Sequence, residues 1–189
     1  PRICPAEDID VNDFSNALPD AIWQKLVAII RIAVPYTGMI VSTRENEENR
    51  RIALELGVSQ ISGASKTSVG GYANPEEDRE NTAQFDRSDT RTLDEVADWL
   101  IRMGYIPSFC TACYREGRTG DRFMSLAKSG AIGNCCQPNA LMTLKEYLID
   151  YASETTRKHG EELIEKELLN IPNEKVRQIT KDNLKKIEN

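Results

Sequence analysis

Residues 38–62, GMIVSTRENEENRRIALELGVSQIS, decide the fold class. The run 38–43 is short, apolar and without alternation, the pattern of a strand buried on both faces of a parallel sheet. Residues 46–56 follow a helical period, and Gly57 is a good helix stop. Residues 58–62 form a second short apolar run. Strand, helix and strand in this order predict a βαβ unit with parallel strands. Just upstream, Leu18-Pro19-Asp20 precedes a helix at 21–33 with Ile22, Leu26, Ile29 and Ile30 on one face, and Pro35 blocks its continuation.

The rhythm breaks at 63–91, a stretch rich in Gly, Ser, Thr, Asn and Asp that reads as one long loop. Thr92-Leu93-Asp94-Glu95 is a capping-box pattern. The helix it opens is expected to bury Leu93, Val96, Leu100 and Met103 and to end at Gly104. Residues 105–108 read as a further strand. Thr143-Leu144-Lys145-Glu146 repeats the capping-box pattern and predicts a long helix toward Asn170, kinked or split at Gly160. Pro172-Asn173 breaks the chain, and a last amphipathic helix starts at Glu174. The expected organisation is α/β at 1–91 and mostly helical, cysteine-bearing, at 92–189. So few parallel strands cannot close a barrel and leave bare edges, which predicts that more chain belongs upstream.

Composition narrows the function. Across 189 residues, 24 Lys and Arg stand against 30 Asp and Glu, a net charge of −6. Such a surface repels phosphate backbones, so nucleic acid is not an expected partner. No apolar run reaches the roughly 18–20 residues of a membrane span, and no signal segment opens the chain. A cytoplasmic protein is expected.

Five cysteines are too few for a disulfide scaffold, and four of them gather together. Cys110 and Cys113 form a C-x2-C pair; residues 114–135 separate it from Cys136, and Cys135 stands beside Cys136. Two intervening residues let both thiolates of the pair face one centre, and thiolates suit iron–sulfur clusters or zinc. Three protein thiolates would leave one iron of a 4Fe-4S cluster open. A structural zinc needs four ligands, and Cys135 is an awkward fourth because adjacent side chains are expected to diverge. A non-catalytic zinc module, a dithiol redox pair and buried unligated cysteines all remain open at this point. Arg115 and Arg118 follow the pair and could offset the charge of a thiolate-bound cluster.

Ser42, Thr43 and Arg44 sit where the first strand ends. In β/α folds the active site gathers at the carboxyl ends of the strands. Ser42 and Arg44 are therefore candidates for binding a substrate carboxylate, unless Arg44 merely pairs with Glu45 or Glu48. Arg2 is a candidate cofactor contact on the same face. Ser62-Gly63-Ala64-Ser65 reads as an ordinary turn after the second strand. His159, amid Arg157, Lys158 and Glu161, reads as a solvated helix histidine rather than a ligand.

The long motif CTACYREGRTG at 110–120, followed by CQPNA at 136–140, resembles the C-terminal region of the radical SAM tyrosine lyases of FeFe-hydrogenase maturation, the HydG family. IAVPYTGMIVSTR at 32–44 and VSQISG at 58–63 resemble it as well. The resemblance implies the C-terminal part of a TIM-type β/α barrel followed by a mostly helical, cluster-binding extension. It implies cleavage of tyrosine to p-cresol and a fragment that yields carbon monoxide and cyanide. An auxiliary 4Fe-4S cluster with an extra iron would collect these, with cysteine, as an Fe-CO-CN-cysteine unit for the hydrogenase H-cluster. Cys110, Cys113 and Cys136 would hold that cluster, with Arg115 and Arg118 nearby. Tyrosine, cysteine and other maturation proteins are the implied partners. The family's C-x3-C-x2-C motif, which holds the first 4Fe-4S cluster that cleaves S-adenosylmethionine, is absent from this sequence. So is the histidine for the extra iron. Both are expected upstream of Pro1, and the chain alone is expected to be inactive; its catalytic residues are unknown.

Overall fold

A computed structural model of the chain describes residues 10–35, 37–73, 86–117 and 120–187. It divides into two compact units, Pro1–Thr92 and Leu93–Asn189.

In the first unit, helix α1 (Asp20–Ala33) precedes strand β1 (Ile40–Val41), helix α2 (Glu47–Glu55) and strand β2 (Gln60–Ile61). The strands pair in parallel, Ile40 opposite Gln60 and Val41 opposite Ile61, as the 38–62 pattern predicts. Asn46 caps α2: its side chain accepts from the Asn49 N–H at 2.9 Å, satisfying an orphan donor of the first turn. Gly57 ends the helix at φ +94, a conformation that excludes most side chains.

The core of this unit is small: Val27, Val41, Ala53 and Val58, with Trp23 and Met39 packed against it. The expected inward face of α1 is not the buried one. Ile22, Leu26, Ile29 and Ile30 are 42–54% exposed, and the helix meets the core through Val27 and Trp23 instead. So many apolar residues ring α1 that periodicity alone does not choose a face. Burial of β1 on both faces is likewise not seen: Val41 is buried, whereas Ile40 is 67% exposed.

A polar lattice completes the unit. Arg50, fully buried on α2, pairs with Asp89 and donates to the carbonyl of Ser62 at the end of β2. The N–H groups of Ser88 and Asp89 donate to the Thr43 carbonyl at 3.1 and 3.0 Å. Arg91 adds a second pairing to Asp89 at 2.6 Å and one to Glu47 at 3.3 Å. Residues 86–91, read from sequence as loop, thus clasp the carboxyl ends of both strands. Residues 74–85 of that loop lie outside the described residues.

The second unit is helical: α3 (Leu93–Arg102), α4 (Ala112–Arg115), α5 (Asp121–Lys128), α6 (Cys136–Asp150), α7 (Glu154–Leu168) and α8 (Glu174–Ile187). Its core joins Ala97 and Ile101 of α3 to Leu141, Leu144 and Leu148 of α6, Leu163 and Ile164 of α7, Ile171, and Leu184 of α8. α3 begins directly after Thr92, as predicted, and buries Val96 and Leu100; Leu93 is 45% exposed and Met103 only partly covered. Residues 105–108 form no strand.

The second capping-box reading fails. Thr143 lies inside α6, where its hydroxyl donates back to the Ala140 carbonyl at 3.1 Å. The helix break falls at 151–153, where Ser153 caps α7 by accepting from the Thr156 N–H at 3.3 Å. Gly160 neither kinks nor splits α7. It lets α6 approach: a Cβ there would lie 2.5 Å from Leu148 Cδ1. Asn173 caps α8 after Pro172, as the break there predicts, by accepting from the Val176 N–H at 3.1 Å.

Candidate metal centre

Cys110 precedes α4 and Cys113 lies within it, while Cys136 is the first residue of α6. Glycine turns shape the path between them, with Gly117, Gly120 and Gly130 all at positive φ. The start of α6 is fixed from two sides. Gln137 Nε2 donates to Glu167 Oε2 at 2.9 Å, and Asn134 Oδ1 accepts from the Asn173 N–H at 3.1 Å.

One side chain ties the two cysteine segments together. Asn139, one turn after Cys136, places Nδ2 2.6 Å from Cys110 Sγ. The Ala112 N–H also donates to that sulfur, at 3.4 Å. Cys136 feels all the other thiols of the cluster. Burial first, then the hydrogen bond to Cys135 and the charges of Cys135, Cys113 and Cys110, push its thiol up to about 11. Cys110, Cys113 and Cys136 are half-buried and free of disulfides; Cys135 is free and exposed. The expected divergence of the adjacent pair is not seen: Cys135 and Cys136 bring their sulfurs to 3.7 Å. Cys135 stands outside the helix, at φ −123 and ψ −47.

Among the described residues, no three His, Cys, Asp or Glu side chains converge on the position of one metal ion. A zinc site requires such convergence. A 4Fe-4S cluster does not, because each thiolate binds its own iron.

Beside Cys110 opens a cavity of about 650 Å³, walled by Phe109, Arg115, Asn139, Tyr147 and Tyr151 among others. Phe109 stacks on Tyr147 with ring centres 4.8 Å apart, and Tyr147 donates its hydroxyl to Asp94 Oδ1 at 3.3 Å. Burial, reinforced by the Asp94 charge, pushes the Tyr147 phenol up to about 12. Neither Asn139 nor this aromatic stack was anticipated. The signal for Asn139 was present in its i+3 spacing from Cys136, once that segment is known to be helical.

The other candidates are dispersed. Ser42 and Arg44 lie in the first unit, in the turn after β1, where Ser42 Oγ accepts from the Arg44 N–H at 3.3 Å. Glu48, one suggested partner of Arg44, pairs with Arg51. Arg115 borders the cavity; Arg2 and Arg118 lie outside the described residues. His159 is half-buried and bonded through Nδ1 to Asp98 of α3 at 2.6 Å, a packed helix histidine rather than a solvated one.

The chain thus carries a parallel βαβ unit followed by a mostly helical unit with four free cysteines. Residues 1–106 match the family model of the Biotin and Thiamin Synthesis associated domain, BATS, and the chain belongs to that family. Among solved structures it is similar to the crystal structure of HydG, a maturase of the FeFe-hydrogenase, with 52% identity and a TM-score of 0.90. That likeness covers 100% of this chain and 40% of that one, so the chain spans less than half of the HydG chain. Comparison with curated proteins gives no match. The resemblance read from the cysteine motif therefore stands. No helix among the described residues is long and apolar enough to cross a membrane.

Proposed function

We propose that the chain is the C-terminal portion of a radical SAM tyrosine lyase of FeFe-hydrogenase maturation, and that Cys110, Cys113 and Cys136 hold its auxiliary 4Fe-4S cluster. The carrying observation is Asn139, which lies one turn after Cys136 on α6 and donates to the sulfur of Cys110 just before α4, tying the two cysteine segments together. Identity of 52% along the whole chain supports it. Three thiolates match a 4Fe-4S cluster with one open iron and fall one short of the four ligands of a structural zinc.

Such a cluster, when bound, supplies an open iron able to take an extra iron and small ligands. The chain's own residues would do the positioning. Asn139 donates to the Cys110 sulfur, and Arg115 sets a cation at the cavity wall. In the first unit, read as the C-terminal part of a TIM-type barrel, Ser42 and Arg44 would hold the carboxylate of tyrosine. Arg2 would contact cofactor. S-adenosylmethionine and the first cluster would belong to a region outside this sequence. The substrates would be tyrosine, cysteine and the extra iron, the partners other maturation proteins, and the setting the cytoplasm.

Anaerobic reconstitution of this chain with iron and sulfide tests the reading. About four irons per chain and a 4Fe-4S EPR signal are expected. Cys113→Ala is expected to lose that iron; unchanged iron in the variant sinks the assignment. One zinc and no iron would favour a structural module.

A further inference from the structure

Cys135 has no part in the proposed cluster, yet it is the exposed member of a thiol pair whose sulfurs lie 3.7 Å apart. Among the described residues this is the one thiol–thiol contact. Cys110 is engaged instead by Asn139 and by the Ala112 N–H. The backbone around the pair is held on both sides. The Cys135 N–H donates to the Ile132 carbonyl at 3.2 Å, and the Asn139 N–H donates to the Cys135 carbonyl at 3.4 Å. The two thiols therefore lie side by side, Cys135 exposed and Cys136 half-buried.

We propose that Cys135 is a thiol-modification site, which low-molecular-weight disulfides convert to a reversible Cys135–Cys136 disulfide. The Cys135 thiolate attacks one sulfur of R–S–S–R, forming a Cys135–S–S–R bond and releasing one RS⁻. The Cys136 sulfur then attacks the Cys135 sulfur, expels the second RS⁻ and leaves an S–S bond between the neighbours. The two protein thiols lose two electrons, the small disulfide gains them, and the two thiol protons pass to the departing thiolates. Adjacent Cα atoms sit about 3.8 Å apart across a trans peptide, below the usual disulfide range of about 4.4–6.8 Å. The product is consequently strained, and strained, exposed disulfides are the readily reduced ones. On the reading that Cys136 is a cluster ligand, this closure withdraws the third thiolate until a thiol reductant restores it.

The test uses the reduced, metal-free chain, treated anaerobically with oxidised glutathione and then digested with trypsin. Cleavage after Lys128 and Lys145 gives peptide 129–145, which holds Cys135 and Cys136 and no other cysteine. It is expected to be lighter by two hydrogens, to regain them with dithiothreitol, and to stay unchanged in Cys135→Ser. A glutathione adduct that persists on Cys135 overturns the proposal, as does oxidation confined to Cys110 and Cys113. A second arm offers iron and sulfide to the oxidised chain. Uptake is expected to be lost and to be retained by Cys135→Ser after the same treatment. If the disulfide forms and uptake is unchanged, the modification stands and the reading of Cys136 as a ligand falls.

Discussion

The two units solve the same folding problem with different materials. The second joins four helices through a continuous aliphatic core in which Leu141, Leu144, Leu148 and Ile171 are fully buried. Among the described residues the first has four small buried apolar residues, and its most buried large side chain is a cation, Arg50. Burial holds the Arg50 guanidinium down to about 10, with Arg91 adding to the effect and Glu47 opposing it. Burying an ion is costly unless its partner stays in place. An apolar core tolerates the loss of any one contact by degrees, whereas in the first unit Asp89 pairs with both Arg50 and Arg91.

Asp89→Ala is therefore the largest expected effect. It strands Arg50 without its carboxylate and should cost about 3–5 kcal/mol. Hydrogen exchange should show the loss in α2 and the 86–91 segment, with α6 and α7 protected as before. Equal loss in both units would break the comparison, because it would mean that they unfold as one. Gly160→Ala probes the other material. Its new methyl would collide with the packed Leu148, a cost of about 1–3 kcal/mol. Leu148→Ala alone should cost about 2–5 kcal/mol, and the double variant should cost less than the sum, because the truncated side chain makes room. Urea midpoints of the four chains check this; additive losses would show that the α6–α7 contact is not the constraint.

Much of the local structure was legible in sequence, and the failures share a cause. The parallel pair β1–β2, α2 and its Gly57 stop followed from local pattern, because short apolar runs and helix stops are written in adjacent residues. The face of α1 did not, since apolar residues ring that helix and only tertiary contact selects Val27. Thr143–Glu146 imitated a helix start because a capping box is four residues long and takes no account of a helix already running from Cys136. Arg50 and Asp89 are far apart in sequence, and nothing local marks either as buried. At the candidate centre, cysteine spacing brought out Cys110, Cys113 and Cys136. It gave no hint that Cys135 would turn toward Cys136, because that depends on the backbone just before α6.

Alkaline pH sharpens the comparison with the smallest of the three effects. The second unit holds two acids whose proton is retained more strongly in the fold than in the open chain. Tyr147 is raised from 10.0 to about 12, by burial and then by Asp94, and Cys136 from 9.0 to about 11, chiefly by burial. For such groups the unfolded chain releases its proton first as pH rises. Their contribution is complete below pH 9 and is lost between 9 and 12, Cys136 acting first and Tyr147 above pH 10. Thermal melts of α6 and α7 across that window should fall with pH. Tyr147→Phe should flatten the part above pH 10 while leaving the part nearer 9, and Cys136→Ser should do the reverse. A slope that survives in both variants would place the alkaline sensitivity elsewhere and remove these two acids as a distinguishing property of the helical unit.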